Sequence, residues 1–136
     1  MHEEEALRRN VDQFILEEID SVPHLEALLL LWNRRARLYS VSELAHQLYI
    51  STDQTSDILR DLQSRGLVAT LDTGQCSYSE TWPHPELIEA VDRFWRRELI
   101  RISSLIHSKA SPSVRQFASA FRFRRQNPAE KEQKKD

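Results

Sequence analysis

Residues 40–68 read SVSELAHQLYISTDQTSDILRDLQSRGLV, and their spacing predicts two short helices, a tight turn between them and a strand after them. Ser40 caps the first helix and Glu43, three residues on, reaches back, a reciprocal capping box. Leu44, Ala45 and Leu48 form its apolar face, and Tyr49 and Ile50 end it. Ser51 and Gln54 repeat the box spacing, so a new helix begins within a few residues of the old one's end. That is helix-turn-helix spacing. In the second helix Thr55, Ile58, Leu59 and Leu62 recur at helical intervals, leaving Thr52, Asp53, Gln54, Ser56, Asp57, Arg60, Asp61 and Ser64 on the polar side. Gly66 supplies a left-handed stop before Leu67 and Val68.

The run LAHQLYISTDQTSDILRDLQSRGLV resembles the winged-helix branch of the helix-turn-helix superfamily, near the MarR-like transcriptional regulators, in its L-A-x-x-L-x-(I/L)-S start, aliphatic second helix and closing G-L-V. The resemblance is close over residues 44–68 and looser over 22–80. It implies a mainly α fold with a small β-wing, flanked by amino- and carboxy-terminal helices. It also implies a small first strand at Leu38 and Tyr39, before the helix pair. By the same resemblance the partner is double-stranded DNA, with Ser51, Thr52, Gln54 and Thr55 at the helix start making phosphate and base-edge contacts and Arg60 supplying charge. Asp57 stands where such helices often carry Arg or Lys, and there it either points away from phosphate or accepts from a cytosine amino group. Tyr49 stands where the turn is usually small.

The wing is expected from strands at 67–71 and 76–79 joined by Asp72, Thr73, Gly74 and Gln75, with Gly74 taking the positive φ. It carries no Lys or Arg with which to hold phosphate. Cys76 alternates with Tyr78 and reads as a small packed residue rather than a nucleophile.

Outward from this unit, Val11, Phe14, Ile15 and Ile19 mark a short amphipathic helix, preceded by a polar stretch, 3–9, expected to fray. Asp20 or Ser21 caps the next helix, with Pro23 in its first turn. Leu25, Leu28, Leu29, Leu31 and Trp32 make that helix the core element, and Arg34, Arg35 and Arg37 follow it where cations favour a helix end. Beyond TWPHP, apolar residues from Leu87 to Ile106 predict one continuous helix over 85–108. About 24 residues would make a rod of roughly 36 Å, longer than the domain's own core covers. Its excess face needs the amino-terminal helix, the last helix or a second copy of the chain; a homodimer through 85–108 is expected. Ser111 and Pro112 open a last, basic helix with Val114, Phe117, Ala118 and Phe121 on one face, a candidate surface for a protein partner. The run 126–136 reads as a disordered tail. The expected division is therefore 1–19 helical extension, 20–80 winged helix, 81–125 carboxy-terminal helices and 126–136 tail.

Charge is polarised along the 136 residues: 1–20 holds seven acids and two arginines, net −5, whereas 93–125 holds nine basic residues and one acid, net +8. Complementarity between these faces is the plainer account, and a nucleic-acid footprint the alternative. The single cysteine excludes an internal disulfide, and no Cys/His spacing suggests a metal. Five scattered histidines and glycines at 66 and 74 that each serve a turn leave no catalytic constellation and no phosphate-cradling loop. No enzyme, cofactor, metal or membrane association is expected. The acidic start is not a signal peptide, and a cytoplasmic location follows as the expectation. Of the tryptophans, helical spacing places Trp32 and Trp95 in the core and leaves Trp82 undecided. Two functions fit this reading: a DNA-binding transcriptional regulator, or a winged-helix protein–protein adaptor without direct DNA binding.

Overall fold

The computed structural model describes residues 2–109. The last helix and the tail expected beyond Lys109 lie outside the described residues. Six helices and one hairpin follow in order: α1 (His2–Glu18), α2 (Val22–Asn33), α3 (Val41–Leu48), α4 (Thr52–Ser64), β1 (Val68–Thr70), β2 (Cys76–Tyr78), α5 (Pro85–Arg97) and α6 (Leu99–Ser108). This is a winged helix carrying flanking helices.

Helix α2 is the centre, as its near-continuous apolar run requires: Leu25, Ala27, Leu28 and Leu31 are fully enclosed. Ser21 is its N-cap, accepting from the His24 N–H at 3.3 Å. Packed on α2 are α3, α4, β2 and α5. The α3 cap is the full reciprocal box: Ser40 Oγ accepts from Glu43 N–H at 3.1 Å, and Ser40 N–H donates to Glu43 Oε1 at 2.9 Å. The hairpin pairs Val68 with Tyr78, Ala69 with Ser77 and Thr70 with Cys76. The expected first strand is reduced to one bridge, Tyr39 with Cys76, because Leu38 is exposed and finds no ladder. At the wing tip Gly74, at φ +89°, closes the turn by donating to Leu71 C=O at 2.9 Å.

Two sequence expectations about the flanking helices are corrected. The polar start 3–9 does not fray: α1 is one helix from His2. Its charged side chains are held from the far end of the chain, Arg8 by Glu98, Glu4 by Arg97 at 3.0 Å and Asp12 by Arg101 at 2.9 Å. The opposed terminal charges therefore meet within one chain. The rod expected over 85–108 is broken at Glu98, whose φ −132° and ψ 48° leave the helical region. No proline or glycine stands there. Instead the Glu98 carboxylate is gripped by Arg8 of α1 and by Arg101 of α6, at 2.5 Å, and the break lays α5 and α6 each against α1. The apolar stripe thus finds its cover inside the chain: Val11, Phe14, Ile15 and Ile19 join Ile88, Val91, Phe94, Ile102 and Ile106 in a single core. Leu99 and Ile100, 51% and 79% exposed, are left outside it.

Candidate nucleic-acid interface

Helix α4 is built to hold one face still and offer the other. Thr55, Ile58, Leu59 and Leu62 are buried. Ser51, Thr52, Gln54, Asp57 and Arg60 are exposed along the opposite side. Ser51 Oγ accepts from Gln54 N–H at 3.0 Å, so the cap is present. The Gln54 side chain does not return to the Ser51 backbone, which makes it half of the box that the spacing suggested and leaves the amide free for an outside contact.

Thr55 departs from its expected role. It is fully enclosed, and its hydroxyl donates to Ser51 C=O at 2.8 Å, so it serves the helix start and reaches no partner. Its place among Ile58, Leu59 and Leu62 in the apolar repeat already carried that signal. Asp57 and Arg60 are brought together at 3.2 Å in an exposed pair, one turn apart. The outward charge of Arg60 is therefore shared before any partner arrives.

Several residues that position α4 were not singled out from sequence. Tyr49 closes α3 in the left-handed region at φ 59°, with its side chain almost wholly exposed at 92%. An L-residue there costs roughly 1–2 kcal/mol. The far end of α4 is tied down twice. His24 Nε2 meets Asp61 Oδ2 at 2.8 Å, while His24 Nδ1 meets Ser21 Oγ at 2.6 Å. Arg65 donates to Glu17 C=O at 2.8 Å and pairs with Asp20 at 3.3 Å and Glu18 at 3.7 Å. These partners are some 37 to 48 residues apart in sequence, beyond any local pattern. Asp20, His24 and Asp61 hold potential ligand atoms within 4.8 Å of one another, but Arg65 and Lys109 already engage Asp20.

The remaining chemistry is structural. The Ser40 N–H holds the Glu43 carboxyl below its ordinary range. Burial pushes the Cys76 thiol up to about 11, so it stays protonated and unreactive near neutrality. Trp32 meets Tyr78 edge-on at 5.0 Å in the core, and Trp82 is half-buried against Phe14 at 6.0 Å. No helix among the described residues is long and apolar enough to cross a membrane.

No protein-family model and no curated protein matches this sequence. Solved structures do match in fold. The MarR family protein RV2887 of Mycobacterium tuberculosis superposes with a TM-score of 0.51 at 18% identity, covering 92% of this chain and 89% of its own. A MepR mutant of S. aureus bound to an oligodeoxyribonucleotide gives 0.51 at 16% identity, covering 89% and 88%. RV1404 of Mycobacterium tuberculosis gives 0.50 at 17% identity, covering 92% and 88%. With α2 to β2 supplying the winged helix and α1, α5 and α6 the flanking layer, this chain has the MarR-like winged-helix fold.

Proposed function

We propose that this protein is a DNA-binding transcription regulator that presents α4 to the major groove. The observation that carries the reading is the exposed polar row on the first half of α4, Ser51, Thr52, Gln54, Asp57 and Arg60, on a helix whose back is locked by buried Ile58, Leu59 and Leu62. Thr52 and the helix start meet phosphate; Gln54 pairs with an adenine edge; Asp57 accepts from cytosine; Arg60 approaches the backbone. The oligodeoxyribonucleotide on the MepR mutant of similar fold supports this assignment. The protein works without catalysis or a cofactor, in the cytoplasm, and as a homodimer. Because α1 now covers most of the 85–108 stripe, the dimer contact falls to exposed Leu99 and Ile100.

One observation favours an adaptor that binds protein instead. Residues 42–66 hold four acids and two arginines, net −2, on the unit that would meet a polyanion, and most non-specific affinity comes from phosphate neutralisation. Fluorescence anisotropy against pooled random duplexes at low and physiological salt separates the two. Wild-type binding that persists at physiological salt and weakens about 5- to 150-fold in Gln54→Ala, the worth of a bidentate base contact, supports the regulator. Asp57→Arg then raises non-specific affinity and alters sequence preference. Silence of the wild type at every salt ends the DNA reading.

A further inference from the structure

A groove of about 560 Å³ opens between α1 and the segment that leads from the wing into α5. Phe14, Trp82 and Leu87 give it apolar walls, while Glu17, Glu18 and Glu86 stand on its rim; no lysine or arginine lines it. The Trp82 indole N–H is buried and has no acceptor, so the groove offers a hydrogen-bond donor as well as negative charge. A fitting occupant brings apolar groups, positive charge and a carbonyl or amide oxygen.

The chain supplies such an occupant where it leaves α6. Lys109 is anchored on α1: its ammonium donates to Ile19 C=O, to Ile15 C=O at 3.4 Å, and lies 3.8 Å from Asp20. From Ile19 back to Phe14 is about 8 Å along the helix, and fifteen residues span about 22 Å even when helical. Residues 111–125, SPSVRQFASAFRFRR, contain four arginines and no acid, and Val114, Phe117, Ala118 and Phe121 recur at helical spacing. Gln116 and the backbone carbonyls supply acceptors for the indole.

We infer that residues 111–125 dock in cis into this groove, with Phe117 and Phe121 against Phe14 and Trp82 and the arginines against the glutamate rim. Three independent features select this segment: its point of departure beside α1, its charge, and the buried indole donor. The inference does not depend on DNA binding. Its consequence is mechanical, since a segment seated on Trp82 fixes the link between the wing and α5 relative to α1.

The test is paramagnetic broadening in the full chain. A nitroxide on Ser119→Cys labels that position selectively, because native Cys76 is 1% exposed. The expected result is that the Trp82 indole signal and the Phe14 and Leu87 amides lose most of their intensity while the Gly74 amide at the wing tip keeps its own. Combined Phe117→Ser and Phe121→Ser, or combined Glu17→Lys and Glu86→Lys, restores the signals. Intact groove signals in the labelled wild type overturn the inference, as does broadening that survives both sets of changes. Broadening that appears only when isotope-labelled chain is mixed with separately spin-labelled chain assigns the groove to a second copy and overturns it equally.

Discussion

Ile15 decides whether α1 is a structural part of the domain or an extension lying beside it. The side chain is fully enclosed, in the cluster that joins α1 to α5 and α6. Ile15→Ala removes three carbons from a site that the packed helices around it cannot readily collapse, a change that costs about 2–5 kcal/mol. Taking about 3 kcal/mol, the melting temperature of a domain this size falls by roughly 12–20 °C. With a urea dependence of about 1.5–2 kcal/mol per molar, the midpoint falls by roughly 1.5–2 M. Such a loss is a large share of the ~5–15 kcal/mol that holds a typical domain together. Exposed Gln13→Ala, two residues away, serves as the control and stays within about 0.5 kcal/mol. Circular dichroism of urea and thermal unfolding, run at two protein concentrations to separate unfolding from any dissociation, reads both variants. An Ile15→Ala midpoint no lower than that of Gln13→Ala would refute the packing argument and return α1 to the status of a free arm.

Three further outcomes follow from particular residues. The Glu98 carboxyl is held below its ordinary 4.5, first by the hydrogen bond from Arg101 and then by Arg8, so its contribution is present above that value and is lost as pH falls through the lowered one. Glu98→Gln therefore costs under about 1 kcal/mol at neutral pH and flattens the acid loss below pH 4.5; parallel urea-midpoint profiles at pH 7, 4.5 and 3 would contradict this. Tyr49→Gly relieves a left-handed tyrosine against the greater entropy of an unfolded glycine, a net gain of roughly 0.5 kcal/mol. A lower melting temperature would mean that the exposed ring has a partner. Ile100→Glu converts a dimer to monomer in sedimentation equilibrium while leaving the fold intact, and an unchanged mass removes the dimer contact from this face; buried Ile102→Glu is unsuitable because it unfolds the chain.

The elements legible in the sequence are those whose partners lie within a few residues. Ser40 with Glu43, Pro23 after Ser21, and glycines at 66 and 74 in left-handed turns all announce themselves locally. What escaped depends on distant partners. The break at Glu98 interrupts a pattern that Leu99 and Ile102 continue without a glycine or proline, and its carboxylate answers Arg8, some 90 residues away. Glu4 and Arg8 look like fraying polar residues until Arg97 and Glu98 are set opposite them. At the candidate interface the exposed row on α4 was readable from periodicity, whereas Thr55 was assigned both to the apolar repeat and to the surface, and only the first holds. The tethers through Asp61 and Arg65 were hidden because both residues sit on the polar side of their helix and meet α1 and α2 across the fold.

These tethers change what the acidic balance of residues 42–66 means. Glu43 is consumed by the Ser40 cap and by Arg37 at 3.3 Å, and Asp61 by His24 at 2.8 Å. Asp53 lies in the first turn of α4, where the helix dipole favours an acid. Only Asp57 faces outward, and Arg60 pairs with it. Of the cations, Arg65 is spent on α1, so Arg60 is the one unit in this stretch able to release a counterion from DNA. The net −2 is thus mostly a record of caps and tethers, and it does not by itself repel a duplex. It does limit how much electrostatic affinity α4 can contribute. With about one phosphate neutralised per protomer, the slope of log K against log salt contributed by the helix-turn-helix unit is about −1, or about −2 for a dimer. Titrations over a series of salt concentrations measure it. A much steeper slope that Arg60→Gln leaves untouched would move the phosphate contacts off α4, with Arg34 and Arg35, exposed at the end of α2, as the residues to replace next.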